Sequence, residues 1–390
     1  MNKSIKIIFL FNTVLLFGQT NPQPYLFAED LYQKIEKDTV AWKYQTGATE
    51  FSFTGRYLDV LKVWDKNGVR KPITNREDSL YFVRSKKVNA RDYIIQQSKE
   101  ARITIINEAH HIASHRTFTR SLLQGLYDNG YRYLGLEALF DSVINDRNYP
   151  TIESGYYTSE PEFGNLLSAA LKIGFTLFGY EASPGKNGTE REIEQAENIR
   201  KFIESNPNGK VLIHCGYAHA YENEYRPWGK AMAGRLKENM NTDPLTIDQT
   251  MFLEKSDRQN NHLFLRLNDS TYPVVLMDEN SKVFNGFTEP RQTDIVVIHP
   301  QTEFTNNRPN WLIAGKQKYA VPSSKFKNNE PVMVFAYRNN EFEKNGVPAD
   351  IVEISDAGLP VNLYLERGKY EVVVKNKDYD IVEKIDIEMR

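Results

Sequence analysis

Ile103-Thr104-Ile105-Ile106 runs directly into Asn107-Glu108-Ala109-His110-His111. The apolar, β-branched run reads as a short buried strand. The polar residues at its exit are expensive to bury without partners. A second stretch repeats the pattern, with Lys210-Val211-Leu212-Ile213 leading into His214-Cys215-Gly216-Tyr217-Ala218-His219. With His115, five of the seven histidines fall in these two windows. Two further strands are read at Tyr131 to Leu136 and Phe175 to Tyr180, each followed by a glutamate, Glu137 and Glu181.

Helical spacing fills the gaps between these strands. Helices are expected over 112–127, stopped by Asp128-Asn129-Gly130, over 165–173, stopped by Gly174, over 189–205 with Thr189 as cap, and over 228–240. Leu245 to Phe252, Tyr272 to Met277 and Asp294 to Ile298 read as further strands of the same domain. Strands alternating with helices imply an α/β fold with a mostly parallel sheet flanked by helices. Residues 20–95 read as a mixed helical segment, with a polar turn at Asn75-Arg76-Glu77-Asp78-Ser79. The α/β domain is placed at 96–325. The chain breaks at Val321-Pro322-Ser323-Ser324. Alternating runs such as Val332-Met333-Val334-Phe335-Ala336-Tyr337 and Tyr370-Glu371-Val372-Val373-Val374 then predict a small C-terminal antiparallel β-domain, sandwich-like, over 326–390.

The 390 residues suffice for a sizeable core, and 26% charged residues with a net charge of -2 give no general attraction to nucleic acid or anionic membrane. Lys3 and Lys6, the apolar Ile7 to Phe17 and the small or polar Gly18-Gln19-Thr20 form the three parts of an export signal over 1–19. The expected location is therefore periplasmic or secreted, with no transmembrane segment after signal removal. The single cysteine, Cys215, makes no intramolecular disulfide and reads as a small buried residue or, less plainly, as a thiolate nucleophile. No Gly-x-Ser-x-Gly elbow and no His-Glu-x-x-His occur.

Ligands of open parallel sheets bind beyond the carboxyl ends of the strands. All four strand exits carry ionisable residues, which suits acid–base work on water or a mixed nitrogen–oxygen metal site. The expected catalytic set is Glu108, His110, Glu137, Arg191 and His219. Asn107, His111, Glu181, His214 and Tyr217 are expected to line the substrate, a small molecule or peptide. His110, Glu137 and His219 are the candidate metal ligands. Blander readings stand beside these: His110 and His111 suit a helix cap, and His214 suits a hydrogen-bonded core histidine.

These residues resemble a known group. Glu108-x-His110, Glu137, the helix with Glu190-Arg191, Gln195-Ala196 and Asn198-Ile199, and Gly216-x-x-His219 are similar, in order, to motifs of the superfamily containing erythromycin esterases, ChaN-type haem-binding proteins and the TraB and TIKI proteins. The likeness covers roughly residues 100–255. Asn107 departs from it, standing where the group usually has glycine. The esterase branch implies histidine and glutamate activating water, the TIKI branch a metal-dependent peptidase, and the ChaN branch haem binding without an accepted reaction. The expectation is thus an exported hydrolase of an ester, lactone or amide, the cofactor being unknown, with a divalent metal or haem as candidates. The alternative is a haem- or metal-binding protein without catalysis, in which Tyr217 beside His219 would meet the ligand.

Overall fold

The computed structural model describes residues 24–69, 75–287, 289–322, 330–355 and 361–390. The expected export signal lies outside these. No helix among the described residues is long and apolar enough to cross a membrane.

The first elements among the described residues are four helices, α1 (Ala28–Lys37), α2 (Lys43–Phe53), α3 (Tyr57–Asp65) and α4 (Arg76–Arg84). Asn75 to Ser79 is no turn but the start of α4, where the Asn75 side chain accepts from the Glu77 N–H at 2.9 Å and caps the helix. The α/β part follows as β1 (Lys86–Asn89), α5 (Ala90–Gln97), β2 (Ile103–Glu108), α6 (Ala113–Asp128), β3 (Tyr131–Leu136), α7 (Ile144–Arg147), α8 (Pro161–Ile173), β4 (Thr176–Gly179), α9 (Gly188–Ser205) and β5 (Lys210–Gly216). Then come a short hairpin of β6 (Glu224–Tyr225) and β7 (Gly229–Lys230), α10 (Met232–Met240), β8 (Leu245–Asp248), α11 (Leu263–Leu267), β9 (Val274–Met277) and β10 (Ile295–Val296).

Six strands form the main sheet in the order β10-β8-β2-β5-β3-β4, all parallel. The mostly parallel α/β expectation is met. Period-two alternation divides each strand between the two faces. Ile106, Leu134, Leu136 and Leu212 pack under α5, α6 and α8, whereas Ile103, Ile105, Val211, Ile213 and Cys215 pack under α9 and α10. Glu108 and His214 therefore turn toward α6 and α8, and Asn107 turns the other way.

Several boundaries differ from the sequence reading. The helix expected from 165 starts at Pro161, with Glu160 as its cap. The helix expected from 228 starts at Met232, because 224–230 fold as the hairpin. Asn187, not Thr189, is the cap position of α9; the Thr189 hydroxyl instead donates to the Trp228 carbonyl at 3.1 Å. The strand at 274–277 is not part of the main sheet: it pairs antiparallel with β1.

After a small pair, β11 (Phe304–Thr305) with β12 (Arg308–Pro309), the C-terminal part holds β13 (Gln317–Ala320), β14 (Val332–Arg338), β15 (Asp350–Ile354), β16 (Asn362–Leu365), β17 (Gly368–Lys375) and β18 (Ile381–Met389). An antiparallel sheet β15-β14-β17-β18 faces the pair β13-β16 across a core of Val332, Val334, Val352, Leu363, Leu365 and Val372. Its other face is also buried, Met333, Phe335 and Tyr337 packing on Tyr25, Phe27 and Phe53. The N-terminal helical segment thus packs on the C-terminal sheet.

Candidate active site

The central strands β2, β5 and β3 end at one level. Glu108 stands beside Gly216 in register, and the Glu137 N–H donates to the His214 carbonyl at 3.3 Å.

On the β2 side, Glu108 is 2% exposed and is gripped by Arg116 of α6, whose Nε reaches Oε2 at 2.6 Å and whose Nη2 reaches Oε1 at 2.7 Å. Such a two-point pair fixes geometry as well as charge. Burial alone would raise the Glu108 pKa, but Arg116 and then His110 hold it well below the usual range. Arg116 also donates to Glu160 Oε2 at 3.0 Å, and Glu160 accepts from the Tyr57 hydroxyl at 3.0 Å. His110 Nδ1 lies 3.0 Å from Glu108 Oε1. A carboxylate on Nδ1 leaves Nε2 as the basic nitrogen of a neutral imidazole. The ring is stacked on Tyr157 at 4.0 Å between centroids.

On the β3 side, Glu137 Oε2 accepts the Gly216 N–H at 2.6 Å. Its Oε1 accepts from Arg191 Nη2 at 2.5 Å. Arg191, on the first turn of α9, also holds Glu181 through Nε and Nη2 at 2.9 and 2.5 Å, and its Nη1 meets His219 Nε2 at 2.9 Å. Burial would raise Glu137; His219 and Arg191 reverse this and depress it strongly. His219 Nδ1 lies 2.9 Å from Glu192 Oε2. Burial disfavours a proton on this ring, but Glu192 and Glu137 outweigh it and raise its pKa. The neutral ring accepts from Arg191 at Nε2; the protonated ring faces Glu137 Oε1 at 3.5 Å. Trp228 of the hairpin stacks on His219 at 4.9 Å.

The two halves meet across Gly216. His110 Nε2 and Glu137 Oε2 lie 2.5 and 3.3 Å from where a Gly216 Cβ would stand, so they are no more than about 5.8 Å apart. The side chains of His110, Glu137, Arg191 and His219 keep 10, 9, 12 and 7% of their surface. Beyond Glu181 opens a pocket of about 440 Å³, walled by Leu139, Phe140, Leu177 and Phe178.

All five expected catalytic residues converge here, together with Glu181. Four others do not. Asn107 is fully buried and braces β2 against β8 and the following loop, donating to Asp248 Oδ1 at 2.8 Å and the Tyr217 carbonyl at 2.9 Å and accepting from the Gln249 N–H at 2.7 Å. His111 is sealed under Trp64, stacked at 3.5 Å, with Nδ1 3.2 Å from the Tyr217 hydroxyl. His214 lies under Glu108, 3.5 Å from its Oε2, with its pKa lowered to about 4 by burial. Tyr217 takes φ +43° at the turn after β5 and points its hydroxyl at His111. These four support the rim from inside rather than line an opening. Cys215 is 1% exposed and burial pushes its thiol well up, which disfavours a thiolate.

Four participants are absent from the set expected from the sequence: Arg116, Glu160, Glu192 and Tyr157. Three are helical or cap residues that only become neighbours by packing. Glu192 sits one residue after Arg191 on α9, and that adjacency is the available clue.

The candidate metal ligands His110, Glu137 and His219 all sit among these contacts. A divalent site needs three or more converging donors. Both ring nitrogens of His219 and both oxygens of Glu137 are hydrogen-bonded, and the Arg191 guanidinium bridges Glu137 and His219. Among the described residues no group of three His, Cys, Asp or Glu side chains is set to hold a metal ion.

No family model matches the chain, and no curated protein matches it. Solved structures resemble it in part. The type III effector HopBA1 is 11% identical over 50% of this chain and 94% of its own, with a TM-score of 0.33. RRSP, a MARTX toxin effector domain from Vibrio vulnificus CMCP6, is 13% identical over 66% of this chain and 48% of its own, with a TM-score of 0.32. ChaN of Campylobacter jejuni, described with cofacial heme binding, is 11% identical over 55% of this chain and 94% of its own, with a TM-score of 0.32.

Proposed function

We propose that the chain is a hydrolase that activates water against an ester, lactone or amide. One observation carries this reading: two carboxylate–imidazole pairs, Glu108–His110 and Glu192–His219, both joined through Nδ1, flank the Glu137–Arg191 pair on one strand rim. His110 Nε2 takes a proton from water as the water oxygen attacks the carbonyl carbon. The carbonyl π electrons move to oxygen. When the tetrahedral species collapses, the bond to the leaving oxygen or nitrogen breaks and His110 returns the proton to it. Glu108 keeps His110 in the right tautomer, and Arg116 keeps Glu108 ionised. Glu137 orients the water opposite His110. Arg191 supplies the positive charge that holds Glu137 and Glu181 in place. The motif likeness to the superfamily that contains the erythromycin esterases is in keeping with this assignment, and the export signal read at 1–19 would put the reaction outside the cytoplasm.

The test is turnover of a panel of esters, lactones and amides, with and without chelator, by wild type and by His110→Gln. Turnover by wild type, its loss in His110→Gln and indifference to chelator are expected. A folded wild-type protein that turns over none of the panel sinks the reading.

A further inference from the structure

Hydrolysis of a carbonyl compound needs a donor for the negative charge that develops on the carbonyl oxygen. The obvious cations of the site are committed. Arg191 gives three hydrogen bonds to Glu137 and Glu181 and a fourth to His219, so its charge is already more than balanced by carboxylates. Arg116 is fully buried between Glu108 and Glu160.

Tyr157 is different. It opens a short 3-10 turn, Tyr157–Ser159, just ahead of α8. The cap residue of that helix, Glu160, is tied to Arg116, so the turn hangs on the same ion pairs that place His110. The Tyr157 ring lies face to face with His110, 14° from parallel, and Tyr156 abuts it edge-on at 5.2 Å. Its hydroxyl makes no hydrogen bond to any described residue and is not among the polar atoms sealed from solvent. After burial, the groups that most affect it are Glu137, then Arg191, Glu108 and Arg116, which sets it within the field of the centre; the phenol stays protonated at neutral pH.

We infer that Tyr157 is a catalytic residue of this centre, its O–H donating a hydrogen bond to the substrate carbonyl oxygen as that oxygen becomes anionic. The inference rests on the hydrolytic reading above. Tyr157 keeps its proton throughout; the proton that moves passes from water to His110 Nε2 and then to the leaving group.

Tyr157→Phe retains the ring and its stack and removes only the donor. On the best ester or lactone of the panel, kcat is expected to fall about 100-fold with KM and melting temperature unchanged. The affinity for a phosphonate analogue of that substrate, which presents a tetrahedral anionic oxygen, should fall in parallel. Wild-type kcat in Tyr157→Phe, alongside an inactive His110→Gln, overturns the assignment while the hydrolytic reading stands. A rise in KM at unchanged kcat would make Tyr157 a binding wall and overturns it as well. A wild-type protein without any turnover removes both.

Discussion

A Cβ on Gly216 would stand 2.5 Å from Nε2 of His110. Gly216 has an ordinary extended backbone, φ −87°, so glycine is required here for space and not for conformation. Its bare backbone lets the imidazole and the Glu137 carboxylate approach each other over the end of β5. Gly216→Ala should displace His110 and lower kcat by about 100-fold, the usual penalty of a misplacement near 1 Å. Overpacking should cost about 1–3 kcal/mol of stability. Steady-state kinetics beside a urea melt checks both; an active Gly216→Ala would mean that His110 does not work from this position.

Arg116 offers a stability test of the site's foundation. It is fully buried and faces two carboxylates, Glu108 and Glu160. Arg116→Met leaves both charges without their cation and should cost about 3–5 kcal/mol. Adding Glu108→Gln and Glu160→Gln to Arg116→Met should restore much of the loss, because the stranded charges are then gone. Urea unfolding of the single and triple variants separates this from simple loss of packing, which neutral partners would not rescue.

Stability should fall with mild acid. Burial lowers His214 and His299 to about 4, below the ordinary value of about 6.5 in the unfolded chain. As pH falls, the unfolded chain takes up protons first. The contribution is therefore complete above about 6.5 and shrinks until about pH 4. Each histidine should cost about 2 kcal/mol between about pH 7.5 and about pH 5. His111 and His115, lowered well below their usual value, act in the same direction, and His219, raised, acts against them. Urea midpoints at the two pH values measure the slope, and His299→Asn should reduce it. A flat profile would contradict the buried neutral histidines.

The joint between α8 and the C-terminal strands rests on a buried pair, Lys316 with Glu162, near Arg120, which also reaches Glu366 at 2.8 Å. Both members are sealed, at 2 and 1% side-chain exposure. Lys316→Met alone should cost about 3 kcal/mol, since Glu162 keeps its charge with less to balance it. The double change Lys316→Met with Glu162→Leu should recover most of that. Equal losses in single and double variants would show that shape, not charge, holds this joint.

Strand exits were legible in the chain because they are local. An apolar run followed at once by Glu or His needs no knowledge of the fold to be noticed, and Glu108, His110, Glu137, Glu181 and His219 were found that way. Asn107, His111, His214 and Tyr217 look the same in sequence and are not the same in space. Side-chain alternation sends Asn107 to the face opposite Glu108, and packing under Trp64 and Phe163 seals His111 and His214.

What the amino-acid order determined by itself is the layered α/β plan, the antiparallel strands at the C-terminus and the crowding of acids and imidazoles at the strand ends. These follow from periodicity and from the cost of burying charge. What only the tertiary structure decided is which acid serves which base. The bonds that build the centre join residues 79 positions apart for Gly216 and Glu137, 54 for Arg191 and Glu137, and 27 for His219 and Glu192. Those pairings depend on β5 being inserted between β2 and β3 and on α6, α8 and α9 supplying Arg116, Glu160 and Glu192. Strand order and helix docking are set by the summed packing of the whole core, which no local stretch of the chain contains.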